Sequence, residues 1–291
     1  MAVKFFGQYL LEKQVISYEA VLAAISLQER NNLKLGEMAV EMGYITEADI
    51  ERAHNAQYSK DMKLGDLLVS QGILNNDQLD KIVARQKETH LYIGEALVRL
   101  GAITREELVK YLEEFKQDQA PYQVERIELP EGIANAASWE MVVDLTYKMI
   151  TRVLGLRFKP EKCRVVDRLV GGYTMAYLDL IGDLQARYVL SVTADLQQAI
   201  ARAILRVESA QNEPPDMLED SVMEFINVIC GNVAAKASQF GKIVEITPPE
   251  TIHPPSAGLP VPSGHAALCF PIHVDDGEKM EVMELFLVIP K

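Results

Sequence analysis

Apolar and polar positions recur with a helical period through the first 116 residues, and the pattern itself repeats. Four segments open on Phe5-Phe6-Gly7, Lys34-Leu35-Gly36, Lys63-Leu64-Gly65 and Tyr92-Ile93-Gly94, 29 residues apart. A fixed period of this size is the mark of a tandem helical repeat. Each segment runs through a short amphipathic stretch to a turn at Gly43, Gly72 or Gly101, with Gln14 in the first copy. Glycine suits a helix end because it takes positive φ without a Cβ clash. Ser17, Thr46, Asn75 or Thr104 then offers an N-cap, and Gln78 and Glu107, three residues on, complete a capping box in the last two copies. A second amphipathic helix follows, ending on Gln28, Gln57, Gln86 or Phe115.

The pattern changes after residue 116. Residues 117–134 contain Pro121, Pro130 and Gly132 and no sustained helical period, which predicts a linker. From 135 to 291 the pattern predicts an α+β domain. Ser138 to Leu154 is an amphipathic helix with Ser138 as N-cap and Gly155 past its end. Tyr173 to Ile181 and Ala186 to Thr193 are apolar, β-rich stretches that read as a hairpin around Gly182-Asp183, and Gly171-Gly172 before them is expected as a turn. Asp195 to Leu205 and Met217 to Phe240 are helical, and Ala266 to Val274 with Lys279 to Ile289 form a second hairpin around Asp275-Asp276-Gly277. The fold class expected is therefore multi-domain: all-α tandem repeats, then an antiparallel sheet with covering helices.

Composition narrows the partners. A formal charge of -13 disfavours nucleic acid and anionic lipid, both of which need surplus Lys and Arg, so no nucleic acid and no membrane insertion are expected. No stretch approaches the roughly 18 apolar residues of a membrane span, and Lys4, Gln8, Glu12 and Lys13 interrupt the N-terminal apolar run. Cys163, Cys230 and Cys269 suit no disulfide framework, which points to a reducing cytoplasm. His253, His265 and His273 lack metal-pair spacing, so no metal site is expected. There is no GxSxG and no P-loop.

The chemistry concentrates on the helix from Met217. At about 100° per residue, Asp220, Glu224, Asn227 and Gly231 fall within about 60° of one another, while Val222, Ile226, Ile229 and Val233 take the opposite side. An apolar back and a narrow polar stripe result. Gly231 leaves backbone bare beside the stripe, where either a partner or another helix can approach closely.

Two resemblances follow from these residues. Residues 5 to 115 resemble the MshEN-type repeats of type II secretion and pilus ATPases, in which paired motifs bind cyclic di-GMP through a leading Arg and a terminal Gln. The leading residue here is Phe5, Lys34, Lys63 or Tyr92, and lysine lacks the planar fork that Arg offers a guanine edge or phosphate. Two readings stay open: a helical interaction or spacer module, and a cyclic di-GMP site on the central pair, Lys34, Gln57, Lys63 and Gln86.

Residues 136 to 291 resemble the CheX, CheC and FliY phosphatases of chemotaxis response regulators, through Asp220-Ser-Val-Met-Glu224-Phe-Ile-Asn227 followed by Pro248 and Pro249. One such helix, after a helix, a hairpin and a helix, is similar to the CheX branch. The resemblance implies a phosphatase for the phosphoaspartate of a CheY-like response regulator. Asn227 then orients water, Glu224 pairs with the partner's lysine, and Asp220 and Gly231 serve docking. No cofactor of its own is implied, since the magnesium belongs to the partner, and a homodimer is expected. The rival from another class is a non-enzymatic adaptor that binds a regulator or cyclic di-GMP.

Overall fold

The computed structural model describes residues 4–57, 62–120, 126–275 and 280–291. It divides into two compact units, Met1–Pro121 and Tyr122–Lys291. In the first, short helices α1 (Phe6–Glu12), α3 (Leu35–Glu41), α5 (Leu64–Ser70) and α7 (Ile93–Arg99) alternate with longer ones, α2 (Tyr18–Asn31), α4 (Glu47–Gln57), α6 (Asn76–Thr89) and α8 (Arg105–Gln119). The caps explain where the long helices begin. Ser17 accepts from the Ala20 amide, and Asn75–Gln78 and Thr104–Glu107 bond reciprocally. Thr46 and Asp49 make the same two-way bond, at 2.9 and 3.3 Å, so a shorter acid also completes the box.

Glycines shape this unit in two ways. At Gly36, Gly65 and Gly94, second in their short helices, a Cβ would lie 3.0, 2.5 and 2.4 Å from the side chains of Ile50, Leu79 and Leu108. The missing side chain lets each short helix lie against the long helix that follows it. Gly43, Gly72 and Gly101 have φ near +70°, and Gln14 takes the same left-handed conformation at φ 56°. The packing is nested. Phe6, Leu10, Leu97 and Leu108 share one core, whereas Met38, Leu67, Leu68 and Ile82 share another. The linker expected from Gln117 starts later than that, because α8 continues to Gln119, whose buried side-chain oxygen Oε1 accepts the Lys4 backbone amide at 2.8 Å.

The second unit opens with α9 (Ala136–Arg152). This helix starts two residues before the expected cap: Asn135, in the left-handed region, precedes it, and Ser138 accepts a bond from Lys242 at 2.8 Å. Then come β1 (Arg157–Pro160), β2 (Arg164–Val166), β3 (Arg168–Leu169), β4 (Thr174–Gly182), β5 (Ala186–Val192), α10 (Ala194–Leu205) and α11 (Pro215–Gln239). The chain finishes with β6 (Val244–Ile246), β7 (Glu250–Ile252), β8 (Leu259–Pro260), β9 (His265–Asp275) and β10 (Met280–Pro290). The turn expected at Asp276-Gly277 lies outside the described residues.

Every pairing in the main sheet is antiparallel, in the order β1-β9-β10-β5-β4-β6, with β2 also on β9 and β7 also on β4. Pro271, which has no N–H to give a ladder, falls where β1 breaks off and β2 begins. One face of the sheet packs on α9, α10 and α11 through Leu178, Tyr188, Leu190, Phe270, Leu285 and Leu287. The other carries a smaller core of Met175, Val189, Phe286 and Val288 under Leu169 and Leu259 of the β3–β8 ribbon.

The αL turns yield a pair of opposed predictions. Gly72 has open space around it, so Gly72→Ala should destabilise the helical unit by about 1 kcal/mol through backbone conformation alone, and Gln14→Gly should stabilise it by a similar amount. Far-UV circular dichroism melts of the full chain would check both signs.

Candidate functional site

α11 owes its position to its back. Val222, Phe225, Ile226, Ile229, Cys230 and Val233 are all fully buried in the core beneath the sheet. At roughly 1.5–3 kcal/mol for each large apolar side chain taken out of water, these residues fix the rotation of the helix about its axis. The front is thereby forced outwards. Asp220, Glu224 and Gly231 are exposed and Asn227 is half-buried, so the structure brings together the four residues that the heptad-like spacing predicted on one stripe.

Glu224 and Asn227 are neighbours on consecutive turns, with the Asn227 amide donating to the Glu224 carboxylate at a long 3.5 Å. A bond this weak is readily exchanged for a partner's groups. A Cβ built on Gly231 meets nothing within 4 Å. Among the described residues no helix of this unit packs there, which leaves the bare backbone open to an approaching molecule.

Both ends of α11 are tied to the sheet. At the start, Glu219 accepts from the Thr251 hydroxyl at 2.7 Å and faces His253 Nε2 at 3.1 Å, while His253 Nδ1 lies 3.1 Å from the Tyr173 carbonyl. Just past the end, the Asp183 side chain accepts from the Ile243 amide at 2.8 Å and its own amide donates back at 2.9 Å. The turn that carries Asp183 needs Gly182, with φ 102°, since a Cβ there would sit 2.4 Å from the Ile243 carbonyl. Sequence reading missed Glu219 and its partners, because His253 and Thr251 are more than 30 residues away in the chain.

The Gly171-Gly172 pair, expected as a turn, lies in the link between β3 and β4 and also packs closely. Added Cβ atoms would lie 2.0 Å from the Ser191 hydroxyl and 2.4 Å from the Val192 carbonyl, so the pair allows close packing against the end of β5. The Gly172 amide donates to that hydroxyl at 2.7 Å.

Other groups are occupied. Burial pushes the Cys230 thiol well above its ordinary range and holds Cys163 and Cys269 up to about 12, so none is a ready nucleophile. Among the described residues, no three His, Cys, Asp or Glu side chains are grouped to hold a metal ion. A concavity of about 660 Å³ on the opposite face of the sheet has its charges paired internally: Arg187 forks onto Asp179 at 2.8 and 2.9 Å, and Tyr177 bonds Glu250.

In the helical unit, the four residues considered for a dinucleotide are not equivalent. Lys34 and Lys63 are exposed at the N-caps of α3 and α5. The Gln86 amide, however, donates to the Leu33 carbonyl at 3.0 Å, as Gln28 does to the Leu91 carbonyl at 2.9 Å. Both serve the backbone just before a short helix. The side chain of Gln57 lies outside the described residues.

Residues 174–273 match the family model described as chemotaxis phosphatase CheX. The C-terminal unit thus carries a CheX domain, and the match contains the whole polar stripe of α11. Similar solved structures include the chemotaxis protein CheX of Desulfovibrio desulfuricans, 17% identical over 52% of this chain and 99% of that chain, with a TM-score of 0.44. A CheX–CheY–BeF3–Mg complex from Borrelia burgdorferi is 19% identical over 53% and 98%, with a TM-score of 0.43. Thermotoga maritima FliY is 15% identical over 54% and 92%, with a TM-score of 0.40. No curated protein matches this chain.

The open surroundings of Gly231 make its substitution informative. Gly231→Ala should stabilise the C-terminal unit by roughly 1 kcal/mol, the usual helix-interior difference, as read by chemical denaturation.

Proposed function

We propose that the C-terminal unit is a phosphatase for the phosphoaspartate of a CheY-like response regulator, and that α11 is the element it presents to that partner. The observation that carries this reading is the pairing of Glu224 with Asn227 on an outward-facing helix inside the CheX match. An exposed stripe along one side of a helix suits a docked protein better than a small molecule, which binds in a concave pocket.

The chemistry asks little of the helix. A phosphorylated receiver aspartate brings its own magnesium ion and lysine, so what remains is to place a water in line with the scissile P–O bond. Asn227 has both a donor and an acceptor on one planar group, enough to hold a water against a phosphoryl oxygen. Glu224, exposed and one turn earlier, pairs with the partner's lysine, and Asp220 extends the acidic edge of the same stripe. Gly231 lets the partner's backbone approach at the far end. We assign the glutamines at the ends of α2 and α6 to holding the short helices in place, and the helical unit to localising or regulating the phosphatase.

Mixed with a regulator phosphorylated by a small-molecule phosphodonor, the full chain should accelerate loss of phosphate. Asn227→Ala should lower kcat by about a hundredfold with little change in stability, as expected for a lost positioning group. Glu224→Ala should act chiefly on KM, by about tenfold, and the wild-type KM should rise with salt. Equal decay with and without the protein, across a panel of regulators, would sink this reading.

A further inference from the structure

His253 stands against α11 in a geometry that only one protonation state satisfies. Its Nδ1 faces the Tyr173 carbonyl at 3.1 Å and its Nε2 faces the Glu219 carboxylate at 3.1 Å. Both partners are acceptors, and a neutral imidazole has one N–H. Either neutral tautomer therefore turns a ring lone pair onto an oxygen, whereas the imidazolium donates to both.

The two anchors are themselves fixed. The Tyr173 carbonyl follows Gly171-Gly172, which packs against Ser191 and Val192, and the Glu219 carboxylate is also held by Thr251 on β7. Glu219 immediately precedes Asp220 on α11 and lies five residues before Glu224.

We propose that His253 is a positioning residue for the site helix: its imidazolium, clamped between Tyr173 and Glu219, locks the first turns of α11 and with them the presentation of Glu224 and Asn227. Glu219 on the helix and the Tyr173 ring, at a centroid distance of 5.6 Å, are the titratable groups that face the imidazole. The Tyr173 carbonyl first, and then the Glu219 carboxylate, hold the His253 pKa above its ordinary value. The sign follows. A raised pKa means that the clamp is complete below the ordinary histidine value and is lost as pH rises through the raised one, so presentation of the site weakens towards alkaline pH.

The phosphatase arm of the test rests on the function proposed above, and the spectroscopic arm does not. In the full chain, the side-chain amide signals of Asn227 should titrate together with the His253 ring as the pH is raised. In Glu219→Gln, the new amide can donate to Nε2 of the neutral ring while Nδ1–H keeps the Tyr173 carbonyl, so the clamp should survive deprotonation. There the His253 pKa should fall and the Asn227 signals should hold still. In parallel, the ratio of catalysed to spontaneous dephosphorylation should drop at least about fivefold in kcat from low to high pH for the wild type and stay flat for Glu219→Gln. His253→Ala should be low at both ends. Asn227 signals that ignore the His253 titration, or that move identically in Glu219→Gln, would overturn the proposal. A wild type with no phosphatase activity at any pH removes the functional reading alone, and the Asn227 signals then decide the clamp.

Discussion

The burial of one side of α11 against the antiparallel sheet is the constraint on which the C-terminal unit depends. Val222, Ile226, Ile229 and Val233 cannot be turned towards water without losing several kcal/mol, so the core sets which side of the helix faces out and leaves its ends to be held by other contacts. Its polar stripe is the consequence. Glu224 and Asn227 face outwards because each lies two positions, about 200° of helix turn, from core-facing neighbours: Val222 and Ile226 for Glu224, Phe225 and Ile229 for Asn227. Polar side chains built on a rigid helix are placed more precisely than those on a loop, which suits the proposed reaction, where positioning water matters more than basicity.

Packing alone leaves the ends of such a helix free to fray, since the terminal amides and carbonyls lack helical partners. Here each end is tied to the sheet by a short polar network. Asp183, on the β4–β5 turn, holds Ile243, four residues past the helix, and Thr251 with His253 holds Glu219 near its start. The turn depends on a glycine at φ 102° and the His253 contact on a backbone carbonyl set by two close-packed glycines. The geometry at Asn227 thus rests on residues from β4, β5 and β7 as well as on its own helix.

The helical unit solves a different problem with similar means. Short helices of seven residues are unstable alone, because nucleation costs more than so few hydrogen bonds return. Glycine at their second position lets the following helix pack closely, and Gln28 and Gln86 bond the backbone just before the short helix of another segment. These glutamines satisfy carbonyls that the helix itself cannot reach. The position of Gln28 and Gln86 in the last turn of α2 and α6 is accounted for by this role, and Lys34 and Lys63 at the short-helix caps are solvent-facing.

Much of this was legible along the chain. The 29-residue spacing located the turns, including Gln14, and the 100° rule placed Asp220, Glu224, Asn227 and Gly231 on one face, since both are local consequences of helix geometry. The long hairpins emerged as locally, from apolar, β-rich runs of nine or more residues in β4, β9 and β10. The two- to four-residue strands β1, β2, β3, β6, β7 and β8 carry too little pattern to announce themselves, and exist because a longer strand offers them hydrogen bonds. Whether Gly231 met a helix or open space, which segment of the repeat shared a core with which, and that His253 would find Glu219 were decided by tertiary structure alone. Each depends on distances between residues tens of positions apart, and local periodicity holds no information about those.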